Sequence, residues 1–290
     1  MRSLLFVPAD GGAKLDKAMA SGADAVIIDL EDSITPERKE AARAACLEFL
    51  QANVGKKERP RLLVRVNGLD TGMTDADLDV VVHGRPDAVV FPKAEGGASV
   101  VHLDAKLCVR EAMVGVHERS IKVLAQAVES AAGLFLAGTF RDVSPRLIGM
   151  TWGPEDLSAE LGAEANRDEH GQLTEPYRLA RNICLYGAAV AKIPAIETVY
   201  VDFRNTEGLR RDTEAARRDG FTGRLAIHPA QVPIINEVFT PTPEQIEAAK
   251  AVVAAFAANP GAGAIGLNGK MLDRPHLVRA QALLARVVGA

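Results

Sequence analysis

Short apolar runs recur along the chain, and helix-length amphipathic stretches separate them. The runs cover residues 3–7, 25–30, 62–66, 88–91, 122–127, 146–151, 198–201 and 225–227. Most are continuously apolar rather than alternating, the pattern of strands buried on both faces of a parallel sheet. Helices are predicted over 14–21, 36–51 and 175–192, among others. Thr35 and Thr174 stand as N-caps, with Pro36 and Pro176 in the first turns. Strand and helix in strict alternation predict parallel strands with crossover helices. Eight such units favour closure into a (β/α)8 barrel, the TIM-barrel architecture, over an open sheet. The polar stretches 55–60 and 163–172 are the long-loop candidates.

Beyond the eighth run the pattern changes. A helix opens at Thr242-Pro243-Glu244 and runs to about 257, and a Gly/Asn-rich turn follows at 259–263. A short apolar-then-polar segment over 264–273 leads into a final helix over 275–288. We expect a barrel domain over 1–240 and a C-terminal extension over 241–290, a helical lid or oligomerisation arm.

Composition adds boundaries. The 290 residues are 48% hydrophobic and 25% charged, with net charge −4. That balance gives no reason to expect a nucleic-acid or membrane partner. Cys46, Cys108 and Cys184 are scattered with no CxxC pair, which argues against a zinc site or disulfide framework and suits a reducing cytoplasm. The apolar start ends in Pro8-Ala9-Asp10, too short for a signal peptide and read as a strand. The Ala-rich stretch 248–258 is too short to span a bilayer.

Barrel chemistry sits at the C-terminal strand ends. There the chain carries Asp29-Leu30-Glu31-Asp32, Arg65-Val66-Asn67, Pro92-Lys93, Gln126-Ala127-Val128-Glu129, Gly153-Pro154-Glu155-Asp156 and His228-Pro229. Carboxylates crowded at one mouth repel unless a cation neutralises them, and hard oxygen donors open to water suit Mg2+. Taken singly, Asp32 or Asp156 is as readily a helix cap. Arg65, inside an apolar strand, needs an anionic partner, either a neighbouring carboxylate or a substrate carboxylate held as by a clamp. His228 reads as a packing or hydrogen-bonding residue and Cys184 as core.

In this order the strand ends resemble the citrate lyase β-subunit-like proteins of the HpcH/HpaI aldolase superfamily, which include malyl-CoA and citramalyl-CoA lyases. Arg2-Ser3-Leu4-Leu5-Phe6-Val7-Pro8, the run from Gly22 to Asp32, Gly220-Phe221-Thr222-Gly223 and Ile227-His228-Pro229-Ala230-Gln231 carry the resemblance with the motifs above. It implies a carbon–carbon lyase acting on acyl-CoA and small keto-acid ligands, with Mg2+ as cofactor. Glu129 and Asp156 match the metal ligands, with Asp29, Glu31 and Asp32 around metal-bound water. Arg65 matches the substrate-carboxylate arginine, and Gly153 and Glu155 join it as candidate substrate-binding residues. Lys14 falls near the coenzyme A phosphates. Gly269-Lys270-Met271-Leu272-Asp273-Arg274-Pro275 resembles the lid of the malyl-CoA-lyase-like members. There the aspartate, here Asp273, reaches a neighbouring subunit's site in a homotrimer or hexamer and acts as a catalytic acid with a raised pKa. Two positions depart: Gly11-Gly12 stands where many members carry an arginine, and Ser130 where threonine is usual. A free-keto-acid aldolase, a citryl-CoA lyase of the citrate lyase β type, a thioesterase and a non-catalytic scaffold remain as alternatives. The wall near Met150, Trp152 and Leu157 is expected to choose the substrate.

Overall fold

The computed structural model describes residues 1–288. Eight parallel strands form one sheet: β1 (Ser3–Pro8), β2 (Ala25–Asp29), β3 (Arg61–Arg65), β4 (Ala88–Phe91), β5 (Lys122–Val128), β6 (Leu147–Trp152), β7 (Ile196–Glu197) and β8 (Gly223–Ala226). Their order is β6-β5-β4-β3-β2-β1-β8-β7. A parallel bridge between Met150 and Ala195 joins the two ends and closes the (β/α)8 barrel. The connecting helices are α1 (Ala13–Met19), α2 (Lys39–Asn53), α3 (Thr74–Gly84), α4 (Gly96–Met113), α5 (Ala131–Leu136), α6 (Pro154–Leu161), α7 (Glu175–Ala191), α8 (Thr206–Asp219) and α9 (Val232–Phe239).

Side chains alternate along a strand, so every second residue points into the barrel. Leu4, Ile27, Leu63, Leu124 and Ile196 belong to one buried cluster with Ala25, Ala88, Val90 and Leu225. Burying each leucine or isoleucine there contributes about 1.5–3 kcal/mol. Two residues further along the same strands come Phe6, Asp29, Arg65, Gln126 and Thr198, all of which line cavities at the mouth. The floor of the mouth is therefore the layer directly above the hydrophobic core.

One strand differs from the sequence reading. The β-branched run 198–201 is not β7; the strand is the shorter Ile196–Glu197. A glutamate on the outward, helix-facing side of this strand hides it from an apolar-run search. It is tolerated because Glu197 accepts hydrogen bonds from Trp152 Nε1 (2.6 Å), Arg181 Nε (2.6 Å) and its neighbour's backbone, Thr198 N (3.0 Å). Thr198 and Val199 are left to line the mouth.

The chain divides into two compact units, residues 1–237 and the segment from Val238 onward. The second contains α10 (Pro243–Ala257), β9 (Ala264–Leu267), β10 (Lys270–Asp273) and α11 (Arg274–Val288). Thr242 and Gln245 cap α10 reciprocally. β9 and β10 pair antiparallel, Lys270 with Leu267 and Asp273 with Ala264. Asn268 (φ 50°) and Gly269 (φ 74°) make the turn. Two adjacent positive φ values suit a type I′ hairpin, and Asn-Gly is its preferred pair. Among the described residues no helix is long and apolar enough to cross a membrane.

Candidate functional site

The β2–β3 register sets Asp29 beside Arg65. Arg65 Nε and Nη2 donate to the two Asp29 oxygens, both at 2.7 Å. Its Nη1 lies 3.0 Å from Glu31 and 3.3 Å from Asp32, and its guanidinium stacks over Phe6 with Cζ 4.8 Å from the ring centre. The structural salt bridge and the mouth position are thus combined in one residue. Burial opposes the Asp29 charge, but the Arg65 bonds and charge outweigh it and hold the carboxyl below its ordinary value. Burial pushes Glu31 the other way, upward.

The loop after β2 is tied down from below. Lys39 Nζ donates to Leu30 O (2.6 Å), Glu31 O (2.7 Å) and Asn67 Oδ1 (2.7 Å), which satisfies all three ammonium protons. Asn67 in turn donates from its amide nitrogens to Asp77 and Leu30 O.

Glu129 follows β5 and is 3% exposed. One carboxylate oxygen accepts from Gln126 Nε2 (2.7 Å) and the other from Lys93 N (2.8 Å). Burial pushes its carboxyl up to about 8, and the charges of Glu31 and Asp156 add to that. Lys93 holds a left-handed backbone (φ 47°), which turns its chain across the mouth. Its Nζ sits 2.9 Å from Glu31 and 3.3 Å from Asp156. Burial opposes the Lys93 charge, but Glu31 and Asp156 outweigh it and raise its pKa. Gly153 precedes α6, and a Cβ built there would stand 2.5 Å from Glu129 Oε1. Only glycine lets the β6 end approach the buried carboxylate this closely.

Among the described residues no three His, Cys, Asp or Glu side chains converge as a ready-made metal cage. The donor set nevertheless fits Mg2+, which takes about one or two carboxylates and fills its shell with water and substrate. Glu129, buried and disfavoured as an anion, gains most from a cation. Lys93, bridging Glu31 and Asp156, shows that this spot already attracts positive charge.

A cavity of about 110 Å³ brings Arg65, Asp32, Gln126, Glu129, Gly153, Glu155 and Asp156 together under Phe6, Trp152, Val199 and Leu225. A second, of about 430 Å³, adjoins it through Phe6, Asp32, Arg65 and Val199 and extends past Val7, Pro8 and Ile227. Glu155 also borders a third of about 750 Å³. Of the expected specificity wall, Trp152 lines the small cavity. Met150 and Leu157, at 0% and 1% exposure, are core and do not.

Lys14 is exposed on the first turn of α1, outside both mouth cavities. The Gly11-Gly12 pair forms the tight entry to that helix: a Cβ at Gly11 would meet Pro8 O at 2.8 Å, and Gly12 has φ 48°. Asp273 ends β10 in the second unit. It is half-exposed and bonded to His276. That hydrogen bond holds its carboxyl below the ordinary value in the single chain, opposite to the raised value expected of a lid acid. His228 stacks on Phe203 (centroids 4.6 Å apart) and its Nδ1 accepts from Ala230 N at 3.2 Å. Cys184 is fully buried.

Strand-end reasoning placed Gln126 and Lys93 at the mouth without giving either a role, and did not find Lys39. The inward direction of the first was accessible through the period of two above Leu124. The roles of the other two needed the fold, because their partners lie 62 residues away (Lys93 to Glu31) and 28 residues away (Lys39 to Asn67).

A family model for HpcH/HpaI aldolase/citrate lyase matches residues 2–229. A second, for C-C bond lyases of the TIM-barrel fold, matches residues 172–288. The citrate lyase subunit beta of Leuconostoc mesenteroides subsp. cremoris is 34% identical over 98% of this chain and 92% of its own length. The (3S)-malyl-CoA thioesterase of Cereibacter sphaeroides is also 34% identical, over 98% of this chain and 94% of its own. The crystal structure of CitE from Mycobacterium tuberculosis in complex with magnesium, acetoacetate and coenzyme A has a TM-score of 0.77 at 31% identity, covering 98% of this chain and 97% of that one. With the barrel, the ordered strand-end motifs and near-complete coverage in agreement, the chain belongs to the HpcH/HpaI aldolase/citrate lyase family.

Proposed function

We propose that this chain is a magnesium-dependent carbon–carbon lyase. It cleaves a carboxylated β-hydroxyacyl-CoA, of the malyl-CoA or citramalyl-CoA type, to an α-keto acid and an acyl-CoA. The observation that carries the reading is the buried Glu129 carboxylate sharing one small cavity with Asp156 and Arg65. Glu129 and Asp156 hold the ion, and bound Mg2+ supplies the Lewis acidity that lowers the pKa of the substrate hydroxyl.

Arg65 pairs with the substrate carboxylate while Asp29 keeps the guanidinium in place. The amides of Glu155 and Asp156, in the first turn of α6, lack helical acceptors and donate to the same carboxylate. The hydroxyl proton leaves to water held among Asp29, Glu31 and Asp32. The adjacent C–C bond then breaks: its electron pair passes to the thioester α-carbon, and the hydroxyl carbon becomes the keto carbonyl. Asp273, contributed by a partner subunit of a homotrimer or hexamer, gives the α-carbon its proton. Lys14 contacts the coenzyme A phosphates.

The test is a lyase assay with malyl-CoA and citramalyl-CoA, run with Mg2+ and with chelator. Release of keto acid only with Mg2+ is expected. The likeness to a malyl-CoA thioesterase favours one other reading: release of free thiol without keto acid would replace the lyase with a hydrolase.

A further inference from the structure

Asp273 does not stand alone in the second unit. It ends β10 immediately before α11, and His276, in the first turn of that helix, bonds through Nδ1 to its Oδ1. The same ring nitrogen lies 3.2 Å from Asp273 N. One nitrogen cannot serve both neighbours. Accepting from Asp273 N, it would complete a helix cap, as a Glu or Gln does at this position of a capping box. Carrying a proton, it donates to the carboxylate. A bare nitrogen lone pair would repel an ionised Oδ1, and the Oδ1 contact is the closer of the two. While Asp273 is ionised, Nδ1 therefore carries the proton.

The two side chains are 46% and 37% exposed. A pair so open to water contributes little to stability, so its consequence lies in what it does to Asp273. β9 has no titratable side chain, and Val253, Phe256 and Ala257 of α10, which line a cavity with Arg274 and Leu277 of α11, are apolar. Lys270 on β10 and Arg274 and Arg279 on α11 are exposed. The His276 hydrogen bond contributes most to holding the Asp273 carboxyl below its ordinary value, and the backbone amides at the helix start add to it.

We propose that His276 is a positioning residue for the lid acid: it grips Asp273 by Oδ1 and leaves Oδ2 to exchange a proton with the α-carbon of the acyl-CoA. The inference rests on the lyase reading above and deepens it. In cleavage the Oδ2–H bond breaks as the electron pair of the enolate forms the new C–H bond, and the Nδ1 proton stabilises the carboxylate left behind. In condensation the same carboxylate takes the α-proton back. The low carboxyl pKa suits that proton-abstracting form, and the bond to a charged acceptor is of the stronger kind.

The experiment compares wild type with His276→Leu, which loses the donor, and His276→Asn, whose side-chain amide supplies one again. kcat and KM are measured across pH, with Mg2+, for cleavage of malyl-CoA and citramalyl-CoA and for condensation of acetyl-CoA with glyoxylate. The Asp273 carboxyl is titrated separately by 13C NMR. His276→Leu is expected to lose roughly tenfold in kcat with KM little changed, and His276→Asn to recover most of that loss. The acid limb of the condensation kcat, where Asp273 must be ionised, moves to higher pH in His276→Leu, and the carboxyl titration moves with it. A helix cap and nothing more would lower stability while leaving kcat and the pH profile intact. That result, or an Asp273 titration unmoved in His276→Leu, overturns the proposal and leaves the lyase. An Asp273 titration that moves in a chain that cleaves no thioester supports the pairing and removes the lyase reading.

Discussion

Replacing Gly153 with alanine isolates the role of the Glu129 carboxylate. Gly153 has φ −132°, extended backbone that alanine adopts freely, so the whole effect is steric. The new Cβ would stand 2.5 Å from Glu129 Oε1, 3.1 Å from its Cγ and 3.2 Å from its Cδ, where ordinary contact begins near 3.4 Å. The carboxylate must therefore retreat by about 0.9 Å, the difference between 3.4 and 2.5 Å. That retreat strains its bonds to Gln126 (2.7 Å) and Lys93 N (2.8 Å). Overpacking of this kind costs about 1–3 kcal/mol of stability. A misplacement near 1 Å costs on the order of 100-fold in rate. The assays are urea denaturation, Mg2+ titration calorimetry and turnover, with Gly138→Ala as control, since a Cβ there meets nothing within 4 Å. We expect Gly153→Ala to lose roughly 1–3 kcal/mol, most of its Mg2+ affinity and about 100-fold in kcat, and the control to lose none of these. A Gly153→Ala variant with wild-type Mg2+ affinity and turnover would refute the reasoning.

Four further outcomes are expected. Glu129 titrates at about 8 in the metal-free protein, so at pH 7 it is mostly protonated and Mg2+ binding should release roughly one proton. Calorimetry in buffers of different ionisation heat measures this, and zero release contradicts it. The same raised pKa means that the protonated carboxyl's contribution to metal-free stability is complete below the ordinary 4.5 and is lost as pH rises through about 8. Melting curves across that range should show the decline, and Glu129→Gln should flatten it. Lys39→Met leaves three buried acceptors without their ammonium and should cost about 2–4 kcal/mol in denaturant unfolding; a loss below 1 kcal/mol would show that water replaces the ammonium. Asp273→Asn should keep Mg2+ binding and lower kcat by roughly 100-fold or more, and unchanged turnover would remove Asp273 from the chemistry.

The barrel was legible because burial on both faces leaves a local signature, a continuous apolar run, and eight runs alternating with helices admit few other topologies. The exception, β7, failed for a physical reason: it carries a buried glutamate, Glu197, facing α7, and that residue's three donors are remote or unremarkable in the string. The β9–β10 hairpin did carry a local signal, Asn268-Gly269, but the flanking runs are too short and too exposed to stand out as strands.

The site divides in the same way. Which residues end each strand follows from position alone, and that rule names Asp29, Glu31, Arg65, Glu129 and Asp156. Their energetic state does not. Arg65 reaches Asp29 across 36 residues and Lys93 reaches Glu31 across 62. The high pKa of Glu129 comes from its burial, and the Gly153 approach from the β6 end folding over it. Asp273 shows the limit most clearly, since its carboxyl is lowered by His276 in the single chain although its motif suggests a raised value. Side-chain alternation, helix capping and turn preference are properties of contiguous residues, so the sequence by itself determined the strand and helix order and the roster of mouth residues. Distances, solvent exclusion and the sum of neighbouring charges depend on which distant segments meet. Those, and with them the chemistry each carboxylate can perform, only the tertiary structure decided.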